Sequence, residues 1–178
     1  APDARAVSWS PDSRWVLVIT SRSLADGTFD ADLRAHRVGQ TIAVPIDTTG
    51  RRVVVEAAWS LDGSRVAWVA RAGEERQSEV FVGLSDGSEV ENVSRHPADD
   101  HHIAWSGDGE LLAFTSMRDG NAELYAYGVR DERLWRLTRD PAQDDRASFA
   151  PNGRLVAFES TRGGIAGVYV MPALGGDA

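Results

Sequence analysis

The chain has no cysteine, and none of its 19 basic residues is a lysine: all are arginine. Without thiols, neither a disulfide nor a thiolate metal site can form. The absence of cysteine is compatible with either side of a bacterial inner membrane. The all-arginine set is what a GC-rich coding bias produces, and each guanidinium can still grip a carboxylate through two hydrogen bonds. No apolar run approaches the ~20 residues of a membrane-spanning helix, and no long segment repeats with a helical period. Acidic residues outnumber basic ones, 27 to 19. The formal net charge is −8 and the pI about 4.9, so the surface repels phosphate backbones and nucleic acid is not an expected partner. The sequence opens Ala1-Pro2-Asp3 without methionine, which leads us to expect that an upstream segment, either a signal peptide or a trimmed stretch, was removed.

What the sequence does have is repetition. Trp9-Ser10-Pro11-Asp12, Trp59-Ser60-Leu61-Asp62-Gly63, Trp105-Ser106-Gly107-Asp108-Gly109 and Phe149-Ala150-Pro151-Asn152-Gly153 are one phrase, spaced by 50, 46 and 44 residues. Spacings of this size suit a sheet of four strands repeated around an axis. The last two copies align without a gap over more than thirty residues. Arg95-His96-Pro97-Ala98 answers Arg139-Asp140-Pro141-Ala142, and Asp100 answers Asp144. Ser116, Arg118, Gly120 and Tyr125 answer Ser160, Arg162, Gly164 and Tyr169.

Each copy reads as consecutive antiparallel strands. The first ends on the aromatic of the phrase, and the Ser/Ala-Pro-Asp/Asn-Gly turn follows, using the fixed φ of proline and the positive φ open to glycine. A β-branched or aromatic strand comes next, such as Trp15 to Thr20 or Val66 to Ala70. Arg118-Asp119-Gly120-Asn121 then makes a hairpin into a third strand, Glu123 to Tyr127, and Trp135 to Thr138 supplies a fourth. The second copy follows the same plan with Val80 to Val82, Asp86-Gly87 and Val90 to Val93. The last copy has only three strands, through Ile165 to Met171, before a tail rich in glycine and proline.

This phrase, the downstream Arg-x-Gly and Leu-Tyr elements and the closing Leu137-Thr138 together resemble the propeller repeat of the TolB type. The same repeat occurs in the propellers of prolyl-oligopeptidase-like and tricorn-type peptidases. The resemblance implies an all-β fold: one propeller or partial propeller domain over residues 1–178. Its four blades would lie near residues 5–48, 53–94, 101–139 and 145–172, the last incomplete. Propellers of this type usually have six blades, and no spare strand precedes Arg5 to complete the last one. We therefore expect either a loosely closed ring or an open arc whose edges a partner chain covers.

The residues offer few candidates for chemistry. Gly83-Leu84-Ser85-Asp86-Gly87 matches the G-x-S-x-G nucleophile elbow, but it falls where the repeat places a strand-to-strand turn, so no catalytic residue is expected. Asp99-Asp100-His101-His102 has metal-ligand chemistry. However, neighbours on a strand face opposite ways, so the four together should not reach one ion. Asp100 recurs as Asp144 and is expected to be a turn or cap residue, with no cofactor implied. His101 and His102, with Asp145 and Arg146 at the matching positions, are the expected partner-contact surface. Large residues recur in two columns: Trp9, Trp59, Trp105 and Phe149, then Val18, Trp68, Phe114 and Phe158. Both columns read as packing between blades, and Trp15 and Trp135 as core. The longer hairpin from Ser21 to Asp30 is read as a tolerated loop, and Pro45 as an edge-strand residue.

Function follows as an expectation only, since this architecture hosts many activities. The leading reading is a non-catalytic protein-binding or scaffolding module, periplasmic or otherwise extracytoplasmic. An accessory subunit of an envelope or membrane-associated complex is one form of it. The alternatives are the gating propeller of a serine peptidase and a ligand- or metal-binding propeller.

Overall fold

A computed structural model describes residues 3–25, 27, 29–47, 52–72 and 77–175. Its strands form four successive antiparallel meanders. The first comprises β1 (Asp3–Trp9), β2 (Trp15–Ser23), β3 (Phe29–Arg37) and β4 (Ala43–Pro45). The second comprises β5 (Arg52–Trp59), β6 (Arg65–Ala72), β7 (Ser78–Leu84) and β8 (Glu91–Asn92). The third comprises β9 (Asp100–Trp105), β10 (Leu111–Ser116), β11 (Glu123–Gly128) and β12 (Arg133–Arg136). The last has three strands: β13 (Asp144–Phe149), β14 (Leu155–Ser160) and β15 (Gly167–Pro172). One parallel bridge, Ala31 to Val53, joins the first two meanders into a continuous sheet.

The turn of the phrase explains why each copy begins alike. Ser106 Oγ donates to Asp108 at 2.6 Å and accepts from Leu111 N at 2.9 Å, while Asp108 also takes Glu110 N at 3.1 Å. Ser10 with Asp12 and Ser60 with Asp62 repeat the arrangement at 2.6 Å. The serine hydroxyl, then the backbone N–H, holds the Asp12 and Asp108 carboxyls below the usual carboxylate range. In the last copy Ala150 removes the hydroxyl and Asn152 keeps only the bond from Arg154 N.

The core lies between meanders rather than within one. Trp59 and Trp68 pack with Leu17, Leu33 and Ala35 of the meander before them. Trp105 and Phe114 pack with Val69, Val80 and Val82, and Phe158 packs with Leu124 and Ala126. Trp68, Phe114 and Phe158 are fully or almost fully buried. Each also meets an aromatic of its own third strand: Phe81 at 5.8 Å, Tyr125 at 6.1 Å and Tyr169 at 6.1 Å. Burying each such ring contributes roughly 1.5–3 kcal/mol. Together these contacts stack the meanders in chain order, with β1, β5, β9 and β13 side by side.

Some elements depart from the sequence expectation. The 3₁₀ turn Arg162–Gly164 delays the start of β15 to Gly167. The strand expected over 135–138 lies at Arg133–Arg136 instead. Leu137 N still reaches Leu124 O at 2.8 Å, but Leu124 N is taken by the Thr138 hydroxyl at 2.9 Å, so a side chain replaces the ladder there. Pro45 ends the outer strand β4, where its missing N–H costs nothing. In the hairpin from Ser21 to Asp30, Asp26 and Thr28 lie outside the described residues, as do Ala1, Pro2 and the tail from Gly176.

Candidate functional site

The innermost strand of every meander carries a register shift. In β9 it falls between the pairs Ala104–Ala113 and His101–Thr115, and in β13 between Asp145–Glu159 and Ser148–Ala157. β1 is shifted between Ala6 and Ser8, and β5 a little earlier in the repeat, between Val54 and Glu56. His102 and Arg146 occupy the bulges with φ of 52° and 53°, a region that non-glycine residues seldom enter.

That bulge corrects the expectation that neighbouring residues of β9 face apart. It rotates His102 so that its ring meets His101 edge-on, with centroids 4.6 Å apart. Both rings reach Asp145 of the next meander. His102 Nδ1 lies 2.7 Å from Asp145 Oδ1, and His101 Nε2 lies 3.9 Å from it. One ligand-type atom from each of the three residues fits within 4.8 Å of the other two. Strict alternation along a strand is the rule that the extra residue breaks.

Asp145 is held firmly. Its Oδ1 accepts from Thr115 Oγ1 at 2.7 Å and from Arg146 N at 2.8 Å. Burial alone would raise its pKa, but the hydrogen bonds from Thr115 and His102 outweigh that and hold the carboxyl below its usual range. His101 moves the other way to an ordinary histidine paired with acid: burial first, then the neighbouring His102, lowers its pKa. Glu56 of β5 lies on the same rim and accepts from Ile103 N at 3.2 Å, and burial raises its pKa above the usual carboxylate value. The Arg146 guanidinium turns outward to Glu159 at 2.9 Å and is half exposed.

The other acidic candidates separate. Asp99 Oδ1 accepts from Ser78 N at 2.8 Å, while its Oδ2 stands 3.6 Å from His101 Nδ1. Asp100 is fully buried and pairs with Arg118 Nη2 at 3.3 Å, so it is a buried ion-pair residue, neither a turn or cap residue nor part of the rim. Asp144 does the same with Arg162 at 2.7 Å. Ser85 sits in the turn between β7 and β8, its N bound to Ser64 O at 2.9 Å, while the Asp86 carboxylate is used by Ser88. A strand-to-helix elbow is absent there.

Two residues of the rim escaped sequence reasoning. Glu56, His102 and Arg146 occupy one repeat column, which was available as a signal. Thr115 offered none, because its role depends on the bulge opposite.

Radially stacked meanders with bulged inner strands define this chain as a β-propeller repeat protein. It belongs to the TolB beta propeller domain family, which it matches over residues 43–178. Among characterised proteins it is similar to the Tol-Pal system protein TolB of Desulfosudis oleivorans, with 27% identity over 147 residues. That match covers 74% of this chain and 33% of the relative, so the chain spans about a third of the relative's length. The putative TolB of Agrobacterium tumefaciens superposes with a TM-score of 0.73 and 23% identity, over 99% of this chain and 60% of that one. Prolyl oligopeptidase B of Galerina marginata superposes with a TM-score of 0.70 and 17% identity, over 95% of this chain and 25% of that one. Both superpositions are likenesses of fold. Among the described residues no helix is long and apolar enough to cross a membrane.

Proposed function

We propose that this chain is a non-catalytic, protein-binding stretch of a TolB-type propeller. In this reading the four meanders are blades over about residues 5–48, 53–94, 101–139 and 145–172, and they form part of an extracytoplasmic assembly of the Tol-Pal kind. The family match and the likeness to a Tol-Pal system protein support the placement. The position of Ser85 in a strand-to-strand turn supports the absence of hydrolase chemistry.

The likeness to a Tol-Pal system protein over 74% of this chain carries the reading, and the two end faces give it a form that can be tested. Trp59 and Trp105 are 7% and 8% exposed, whereas Trp9 in the same column is 60% exposed. At the other end, Val168 and Val170 are 74% and 52% exposed. Their counterparts Val80 and Val82, and Leu124 and Ala126, are buried against the following meander. Each internal junction joins a Trp-type face to a Val-type face, so the two end faces suit neighbouring propeller repeats of the same chemistry, whether of the same protein or of a partner. His101, His102, Asp145 and Arg146 on the rim add a second, polar contact surface.

Light scattering on the chain tests this. Self-association that Trp9→Ser or the pair Val168→Ser and Val170→Ser abolishes is the expected result. A monodisperse monomer whose Trp9 fluorescence is shielded from quencher would overturn it, because the ends would then close on themselves.

A further inference from the structure

We propose that His101 Nε2, His102 Nδ1 and Asp145 Oδ1 form a binding site for a divalent transition-metal ion of the zinc type. The donor set decides the class of ion. Two imidazoles and one carboxylate suit borderline ions such as Zn²⁺, Co²⁺ or Ni²⁺, whereas Ca²⁺ and Mg²⁺ take oxygen ligands. The geometry is close to what such an ion needs. Ligand atoms around a tetrahedral ion lie roughly 3.3 Å apart when metal–ligand distances are about 2.0–2.1 Å. Here the His102–Asp145 separation is 2.7 Å, the His101–Asp145 separation is 3.9 Å, and one ligand atom from each of the three residues lies within 4.8 Å of the others. An ion between them replaces the proton shared by His102 and Asp145 and needs shifts of about an ångström from the other ring.

The surroundings are built as the outer shell of a metal site is built. His101 Nδ1 is buried without a hydrogen-bond partner and faces the Asp99 carboxylate at 3.6 Å. With the proton on that nitrogen, Nε2 presents its lone pair towards Asp145. Ser78 N fixes Asp99 from behind at 2.8 Å, so closing the 3.6 Å gap by about half an ångström would complete the carboxylate–histidine bond that sets ring orientation and tautomer at metal centres. Thr115 and Arg146 N orient the Asp145 carboxylate in the same way. His101 and His102 come from one meander and Asp145 from the next, so a bound ion would tie two meanders together at the rim. All three ligand residues are only partly buried, which leaves the remaining coordination positions open to water.

Titration calorimetry of the whole chain with Zn²⁺, and visible spectroscopy of its Co²⁺ form, test the site. One ion per chain is expected. His102→Ala and Asp145→Asn should each weaken binding by at least tenfold, and Asp99→Asn should do so by roughly tenfold through loss of orientation. His36→Ala and His96→Ala should leave affinity unchanged. Thermal unfolding of each variant separates loss of the site from loss of the fold, and a folded His101→Ala protein must also lose the Co²⁺ absorption. Absence of saturable binding, or binding that survives His102→Ala and Asp145→Asn in folded protein, would overturn the proposal.

Discussion

The last two meanders and the first two share one backbone plan but fill a central position with opposite chemistry. In the last two, Asp100 and Asp144 are fully buried and clasp Arg118 and Arg162 at 3.3 and 2.7 Å. Those guanidiniums lie 4.4 Å over the Tyr125 ring and 4.9 Å over the Tyr169 ring. In β5 and β6 the matching residues are Val54, Ala70 and Ala72, all apolar, and in β1 and β2 they are Ala4, Thr20 and Arg22. Arg22, lacking a buried acid opposite, pairs instead with Asp30 at 2.8 Å from an exposed position. The same ladder therefore closes over an ion pair or over methyl groups. The lesson is that a buried pair is held by its completeness: the desolvation of two charges offsets most of their attraction, and either member alone is costly.

That comparison can be broken most sharply by removing one partner. Asp144→Ala or Asp100→Ala strands a partly buried guanidinium and should cost up to about 3 kcal/mol, the lower end for a broken buried pair, read as a lower urea midpoint. Asp144→Asn, which keeps an acceptor for Arg162, should cost less. Converting the third meander to the chemistry of the second tests the other side. Asp100→Val with Ser116→Ala and Arg118→Ala should lie within about 2 kcal/mol of the parent, since whole-pair replacement is often neutral. A triple variant as damaged as Asp100→Ala would show the clasp to be a net stabiliser.

A smaller effect is expected at the turn of the phrase. Ser106→Ala removes two hydrogen bonds and should cost about 1 kcal/mol. Ala150→Ser should supply the hydroxyl for the corresponding pair in the last meander and raise stability by about 0.5 kcal/mol, measured by thermal unfolding.

The subtlest contrast is in pH dependence. The lowered Asp12, Asp62 and Asp108 carboxyls contribute stability that is present above the ordinary carboxylate range and lost as pH falls through their folded-state values. Asp100 has the opposite sign. Burial, outweighing its bonds to Ser116 and Arg118, raises its pKa, so its contribution is largest when protonated and falls as pH rises through the raised value. Unfolding free energies measured from neutrality down to about pH 3 should decline less steeply in Asp108→Asn and more steeply in Asp100→Asn. Equal slopes in both variants would remove the distinction.

The repeat was legible because local chemistry writes it: serine, aspartate and glycine at fixed offsets make the same turn wherever they occur, and the aromatic columns pack the same way at each junction. Trp68, Phe114 and Phe158 could thus be placed between meanders from spacing alone. The role of Asp100 was not legible. Its partner Arg118 is eighteen residues away on the far side of a hairpin, and only the register of β9 against β10 brings them together. The rim site was hidden for a related reason. Period-two alternation sent His101 and His102 to opposite faces, and a single bulge reversed that reading.

By itself the sequence determined the class of fold, the repeated turns, and the core position of Trp68, Phe114 and Phe158, because each depends on residues close together in the chain. Tertiary structure alone decided which charges are buried and that both histidines meet Asp145. These outcomes depend on register between strands and on which neighbour each face finds. Neither is encoded within one repeat, so equivalent positions close over an ion pair in one meander and over apolar side chains in another.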